Sequence, residues 1–240
     1  MQQRKQLANF KNMKYEEIIK KLKSMANSKN VVGMAKFGIN PKNTYGISIP
    51  NLRKLAKEIG NNHDMAQKLW ASGYHEAKIL ASMIDEVDKI TTRQMDNWIA
   101  EFDSWDVCDQ VCSLFEKTPY AFEKAVEWSK LDKEFEKRAG FALIATLAWH
   151  DKNSPDTKFV KFFPHIKRGA TDERDYVKKA VNWALRQIGK RNKNLNRKAI
   201  LVAQEIAKID NRAAKWIASD AIRELTSEKV QKRLPVSSAK

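Results

Sequence analysis

The sequence predicts an all-α fold, a curved solenoid of stacked antiparallel helix pairs. Three observations lead there. Apolar residues recur at helical spacing in segment after segment, and no stretch alternates convincingly as a strand. The segments are joined by short loops punctuated by Pro, Gly, Asn and Asp. They also pair off about every 30–40 residues, a period at which stacked helical units share a core that none could bury alone. Residues 1–240 read as one such repeat domain, with frayed ends at about 1–12 and 235–240.

The first helix is expected over 14–26, where Ile18, Ile19, Leu22 and Met25 share a face. A short helix interrupted by glycine follows over 30–38. Pro41 to Pro50 is a loop punctuated at both ends, and Pro50 suits the first turn of a helix over 50–59 with the stripe Leu52, Leu55, Ala56 and Ile59. Helices at about 64–72, 75–88 and 91–102 come next. Over 105–116, Val107, Cys108, Val111, Cys112, Leu114 and Phe115 make one apolar arc. Asp103 and Ser104 are good N-cap residues for it, and Asp106 adds negative charge to its first turn.

Pro119 opens a helix to about Leu131. Residues 133–150 are apolar almost all round from Ala139 to Trp149, so this helix is expected to be central and buried. A short helix over 155–167 carries Phe159, Phe162 and Phe163. Thr171 and Asp172 cap a long helix over 172–190, with Val177, Ala180, Val181, Ala184, Leu185 and Ile188 as its core stripe. Helices at about 194–208 and 210–225 complete the body. The recurrence has the length of armadillo- and HEAT-type units.

The chain is long enough to bury a sizeable core. Its net charge of +16 favours a polyanionic partner or an anionic membrane surface. The basic residues are spread over helices with apolar stripes, which marks a folded basic protein and not a charged tail. Cys108 and Cys112 lie one helical turn apart, an awkward spacing for a disulfide, so buried thiols in a reducing compartment are expected. A metal pair with His150 is disfavoured, because nothing else supplies a ligand at zinc-site spacing; no metal or organic cofactor is expected. No apolar run has the length of a membrane span, and Met1-Gln2-Gln3-Arg4-Lys5 has no apolar signal core behind it. A cytoplasmic monomer is the resulting expectation.

Three places combine aromatic, acidic or basic residues off the local core. Trp105 and Asp109 stand one turn apart at and beyond the edge of their helix's apolar arc. They read either as packing and ion pairing or as a functional aromatic–acid pair. Arg138 sits near the N-terminus of the buried helix, where the dipole disfavours a cation, so it needs an anionic partner. Glu134, Glu136, the Asp109 region and a phosphate are the candidates. Trp183 shares a face with Tyr176, Lys179, Arg186 and Lys190, which reads either as the combination that stacking plus phosphate contact requires or as an indole covered by a neighbouring helix with lysines that solvate the surface.

Four stretches resemble a known family. They are Tyr45-Gly46-Ile47-Ser48 with Leu52-Arg53; Leu69-Trp70-Ala71-Ser72 with His75-Glu76; Ser104-Trp105-Asp106 with Asp109; and Asp175 through Arg186, containing Asn182-Trp183-Ala184-Leu185. Together with Arg138 they resemble the AlkD-like DNA alkylation repair glycosylases, which are built from HEAT-like repeats. The resemblance implies excision of cationic N3- or N7-alkylated purines from double-stranded DNA, without a dedicated base-flipping pocket. Asp109 would be the catalytic carboxylate, Trp105 and Trp183 the aromatics against the deoxyribose, and Arg138 a backbone contact. Tyr176, Lys179, Arg186 and Lys190 would add DNA contacts, and the protein would be nucleoid-associated when bound. The alternatives are a non-catalytic binder of damaged or branched DNA and a scaffold for an acidic protein.

Overall fold

The structure is a computed structural model that describes residues 13–235; of the ends expected to fray, 1–12 and 235–240, all but Pro235 lie outside the described residues. The chain divides into two compact units, Met1–Leu114 and Phe115–Lys240. Among the described residues every regular element is helical. None of these helices is long and apolar enough to cross a membrane.

The first unit contains α1 (Tyr15–Ser24), α2 (Ser28–Lys36), α3 (Ile49–Ile59), α4 (His63–Ala71), α5 (His75–Ile84), α6 (Thr92–Ala100) and nearly all of α7 (Trp105–Phe115). Short polar side chains start several of them. Asn27, Asn62 and Thr91 each accept the backbone N–H three residues on, satisfying donors the helix leaves open. Pro50 occupies the first turn of α3, as expected. Helix α5 packs on α3 and α4, and α1 lies against both α4 and α5. Trp70 and Trp98 stack at 4.0 Å, with Phe102 edge-on at 6.2 Å.

The second unit contains α8 (Ala121–Trp128), α9 (Glu134–His150), α10 (Asp156–Val160), α11 (Phe163–Gly169), α12 (Asp175–Gly189), α13 (Lys193–Ala207), α14 (Arg212–Leu225) and α15 (Glu228–Gln231). Its centre is α9, buried without a break from Arg138 to Ala148 and covered by α8 and α12. Helices α13 and α14 then stack on α12 and on each other. The end of α8 comes so close to α9 that a Cβ on Gly140 would lie 2.3 Å from the Ser129 nitrogen. Gly140→Ala is therefore expected to destabilise this unit by about 2–3 kcal/mol through overpacking. A urea midpoint indistinguishable from wild type would disprove that close approach.

Several boundaries differ from the sequence reading. The helix expected over 155–167 is two, because Pro164 has no N–H to bond back across the junction. The helix expected from Asp172 begins at Asp175, because the Asp172 carboxylate accepts the Arg174 N–H and draws the chain into a turn. Helix α5 stops at Ile84, not 88, because extended Asp85 receives His63 Nδ1 and Gln94 Nε2. Trp149, expected within the buried run, is 53% exposed.

Candidate nucleic-acid interface

Helix α7 turns its arc inward as the sequence implies: Val107, Cys108, Val111, Cys112 and Leu114 are all buried. This leaves Trp105 and Asp109 half-buried on the flank, one turn apart. The indole is fixed in place. Its Nε1–H donates to the Phe37 carbonyl at 3.0 Å, a tie across 68 positions of sequence. Next to it, the buried Ser104 hydroxyl accepts the Asn40 N–H at 3.0 Å, and Asp103 accepts Asn40 Nδ2 at 2.6 Å. Three bonds thus fasten the segment Phe37–Asn40 to the start of α7.

The other end of that segment is held from α5. Glu76 is fully buried, and its carboxylate accepts the backbone N–H groups of Tyr45, Gly46 and Ile47 at 2.8, 2.6 and 3.0 Å. Gly46 is required here: its φ is +79°, and a Cβ would meet the Asn27 carbonyl oxygen at 2.3 Å. Three of the four stretches quoted above, Tyr45–Ser48, His75-Glu76 and Ser104–Asp106, accordingly form one hydrogen-bonded clasp beneath Trp105. A shallow groove of about 550 Å³ runs beside it, with Trp105, Met34, Ile39 and Ile47 in its walls and the highly exposed Phe37 at its edge.

His75 completes the clasp. Its Nε2 lies 2.9 Å from an Asp106 oxygen, and its backbone N–H donates to the Asn43 carbonyl. Burial pulls the imidazole pKa down, but the bond to Asp106 and the charges of Asp106 and Glu76 more than offset this, so it stands above the ordinary histidine value. A raised folded-state pKa stabilises the fold fully below the unfolded value of about 6.5 and loses that contribution as pH rises through the folded value. The stability difference between wild type and His75→Gln is thus expected to shrink from pH 6 to pH 9. A constant difference in urea midpoint over that range would contradict the charged pair.

In the second unit the candidate residues lie along α12. Tyr176 stacks on Phe135 at 5.3 Å; its carbonyl accepts Arg138 at 2.8 Å, and its N–H reaches Glu134 at 3.3 Å. The Arg138 guanidinium is therefore buried and engaged with the first turn of α12. Glu136 pairs with Lys133. Lys179 is exposed, 4.0 Å from Asp175, with its ammonium 5.8 Å from the Tyr176 ring. Trp183 is half-buried. Arg186 pairs with Asp220 and Glu224, and Lys190 with Glu224 at 2.8 Å. Burial raises the Glu224 pKa, but Lys190 and Arg186 together hold it below the ordinary carboxylate value. The α12 stripe is thus acid-balanced at its C-terminal end and open at Lys179.

Sequence reasoning did not single out Glu76 as a buried anchor or Phe37 as a groove edge. Glu76 sits within a quoted stretch, but its three donors lie 29–31 residues away and leave no local pattern. Among the described residues no three potential metal ligands converge.

Comparison with known proteins adds to this geometry. A family model described as DNA alkylation repair enzyme matches residues 18–225. Lmo0209 of Listeria monocytogenes, whose function is uncharacterised, is 24% identical over 169 residues, 69% of this chain and 73% of that protein. Lin0241 of Listeria innocua is 22% identical over the same shares. One solved structure superposes with a TM-score of 0.77 at 20% identity, over 94% of this chain and 97% of that one. It represents a family related to the HEAT-like repeat DNA glycosylases, with affinity for branched DNA structures. The likeness bears out the all-α, HEAT-like repeat fold.

Proposed function

We propose a function from one premise: the chain belongs to the DNA alkylation repair enzyme family. It is a DNA glycosylase that hydrolyses the N-glycosidic bond of N3- or N7-alkylated purines in duplex DNA. The observation that carries this reading is the Trp105–Asp109 pair, an indole fixed through its N–H one helical turn from a carboxylate, both partly open to solvent.

An alkylated purine is already cationic, so it leaves with the bonding electron pair as a neutral base and needs no prior protonation. Positive charge develops at C1′ of the sugar. The Asp109 carboxylate stabilises that charge, a contribution of about 3–4 kcal/mol for a preorganised group, and orients the attacking water. Water adds at C1′ and releases its proton to bulk solvent, which leaves an abasic site. The Trp105 indole face adds cation–π attraction of about 1–2 kcal/mol when desolvated. For the second unit we assign Trp183 to the deoxyribose and exposed Lys179, beside Tyr176, to the duplex; buried Arg138 supports the DNA backbone contact near the lesion by holding the Tyr176 carbonyl, and Arg186 and Lys190 join the duplex by exchanging Glu224 for phosphate. Reading the lesion through its sugar and charge requires no pocket for an extruded base, unlike enzymes that flip their target. The protein acts as a monomer, in the cytoplasm on nucleoid DNA.

The test is release of free base from duplex DNA containing 7-methylguanine. Release supports the glycosylase reading; tight binding without release removes it. The second reading, a non-catalytic binder of branched DNA, is favoured by the affinity described for the solved neighbour. Both readings need phosphate contacts. Lys179→Ser is expected to lower the magnitude of the log–log salt slope of DNA binding by about 1. An unchanged slope would remove Lys179 from the interface.

A further inference from the structure

We propose that the second unit carries a separate pocket at the C-terminal end of α9 that binds one unpaired nucleotide of a DNA strand, its base on Trp149 and its phosphate among Lys152, Lys229 and Arg233. This site goes beyond the glycosylase reading; the two share DNA as ligand but not the chemistry of Asp109.

The cavity measures about 520 Å³, within the range of small-ligand sites. Trp149 stands at it where α9 emerges from the core, with a half-exposed indole whose neighbouring ring is His150, edge-on at 6.2 Å. Arg191 makes a fixed wall. Its guanidinium donates to the carbonyls of Ala148, Asp151 and Ser154 and lies 3.7 Å from the centre of the Phe159 ring. Lys190, also in the lining, is paired with Glu224, the one carboxylate there. The buried Leu234 also lines the cavity, and the chain just beyond it is pinned where Lys193 N–H donates to the Pro235 carbonyl.

Two of the remaining cations are not balanced. Lys229 and Arg233 are exposed and have no ion-pair partner among the described residues. Burial and the Arg191 charge lower the pKa of the Lys152 ammonium more than Asp151 raises it, so it stands below the ordinary lysine value, and the ammonium donates to the Trp149 carbonyl at the rim of the cavity. An open indole face beside unpaired cations is the combination that holds a base and its phosphate together. The cavity has room for one nucleotide and none for a duplex, so the nucleotide must be unpaired. Because every base has a π-face, the preference is for strand state and not for sequence.

The experiment compares binding of a blunt duplex and of the same duplex with a three-nucleotide 3′ overhang by fluorescence anisotropy. Wild type is expected to prefer the overhang about tenfold, the size of one stacked base. Trp149→Ala and the double variant Lys229→Ser, Arg233→Ser should each reduce the preference below about twofold, with blunt-duplex affinity and 7-methylguanine release unchanged. Trp149→Phe, which retains a ring, should keep it. Adenosine monophosphate should displace the overhang at concentrations where inorganic phosphate does not. The proposal is overturned if wild type shows no preference, if the variants retain it, or if inorganic phosphate competes as well as the nucleotide. A wild type that prefers the overhang but releases no base supports the pocket and removes the glycosylase reading alone.

Discussion

Asp109→Asn is expected to lower 7-methylguanine release from duplex DNA by about 10²–10³-fold while DNA affinity changes by less than about twofold. The substitution preserves shape and removes one negative charge. In the ground state that charge is attracted by the cationic base and repelled by the phosphates, effects that oppose each other, and it matters most when the positive charge moves to C1′. The loss should therefore appear in the single-turnover rate and not in the dissociation constant. Helix α7 should survive the change, since its packing rests on Val107, Cys108, Val111 and Cys112, all at most 1% exposed. Unaltered release by a folded variant would remove Asp109 from the chemistry. Loss of both binding and release, with normal circular dichroism, would make it a DNA-positioning residue.

Glu76→Ala is expected to destabilise the first unit by about 3–5 kcal/mol. Two buried N–H groups and one half-buried one lose a charged acceptor, each such bond contributing about 1.5–3 kcal/mol, with some of the loss recovered by relaxation. Glu76→Gln should cost about half as much, because its amide oxygen can still accept while its NH₂ faces a donor. The clasp also sets the segment that holds the Trp105 indole, so base release should fall in both variants in step with stability. Chemical denaturation followed by tryptophan fluorescence measures the first effect. A loss under about 1 kcal/mol for the alanine variant would mean that the loop stands without its anchor.

The helices were legible because their apolar spacing, and Pro50 at one start, are local signals; α3 and α7 follow their predicted stripes closely. Legibility failed where a side chain takes a partner distant in sequence. Nothing around Arg186 or Lys190 announces that Asp220 and Glu224, 34–38 residues on, balance them. The exposure of Trp149 was hidden by the apolar run it ends, since periodicity shows which residues are apolar and not where the covering helices stop. Trp105 and Asp109 were visible as an edge pair. What holds the indole was not, because a bond to the Phe37 carbonyl depends on backbone position alone.

The two thiols on the inner side of α7 give the protein an internal clock. Cys108 and Cys112 are fully buried, so a thiol reagent can reach them only when the helix carrying Asp109 lifts from its bed. Their alkylation rate therefore reports how often that helix opens, without any label being introduced. DNA that engages α7 must slow the reaction in proportion to its occupancy, which turns labelling kinetics into a record of when the aromatic–acid pair is in use.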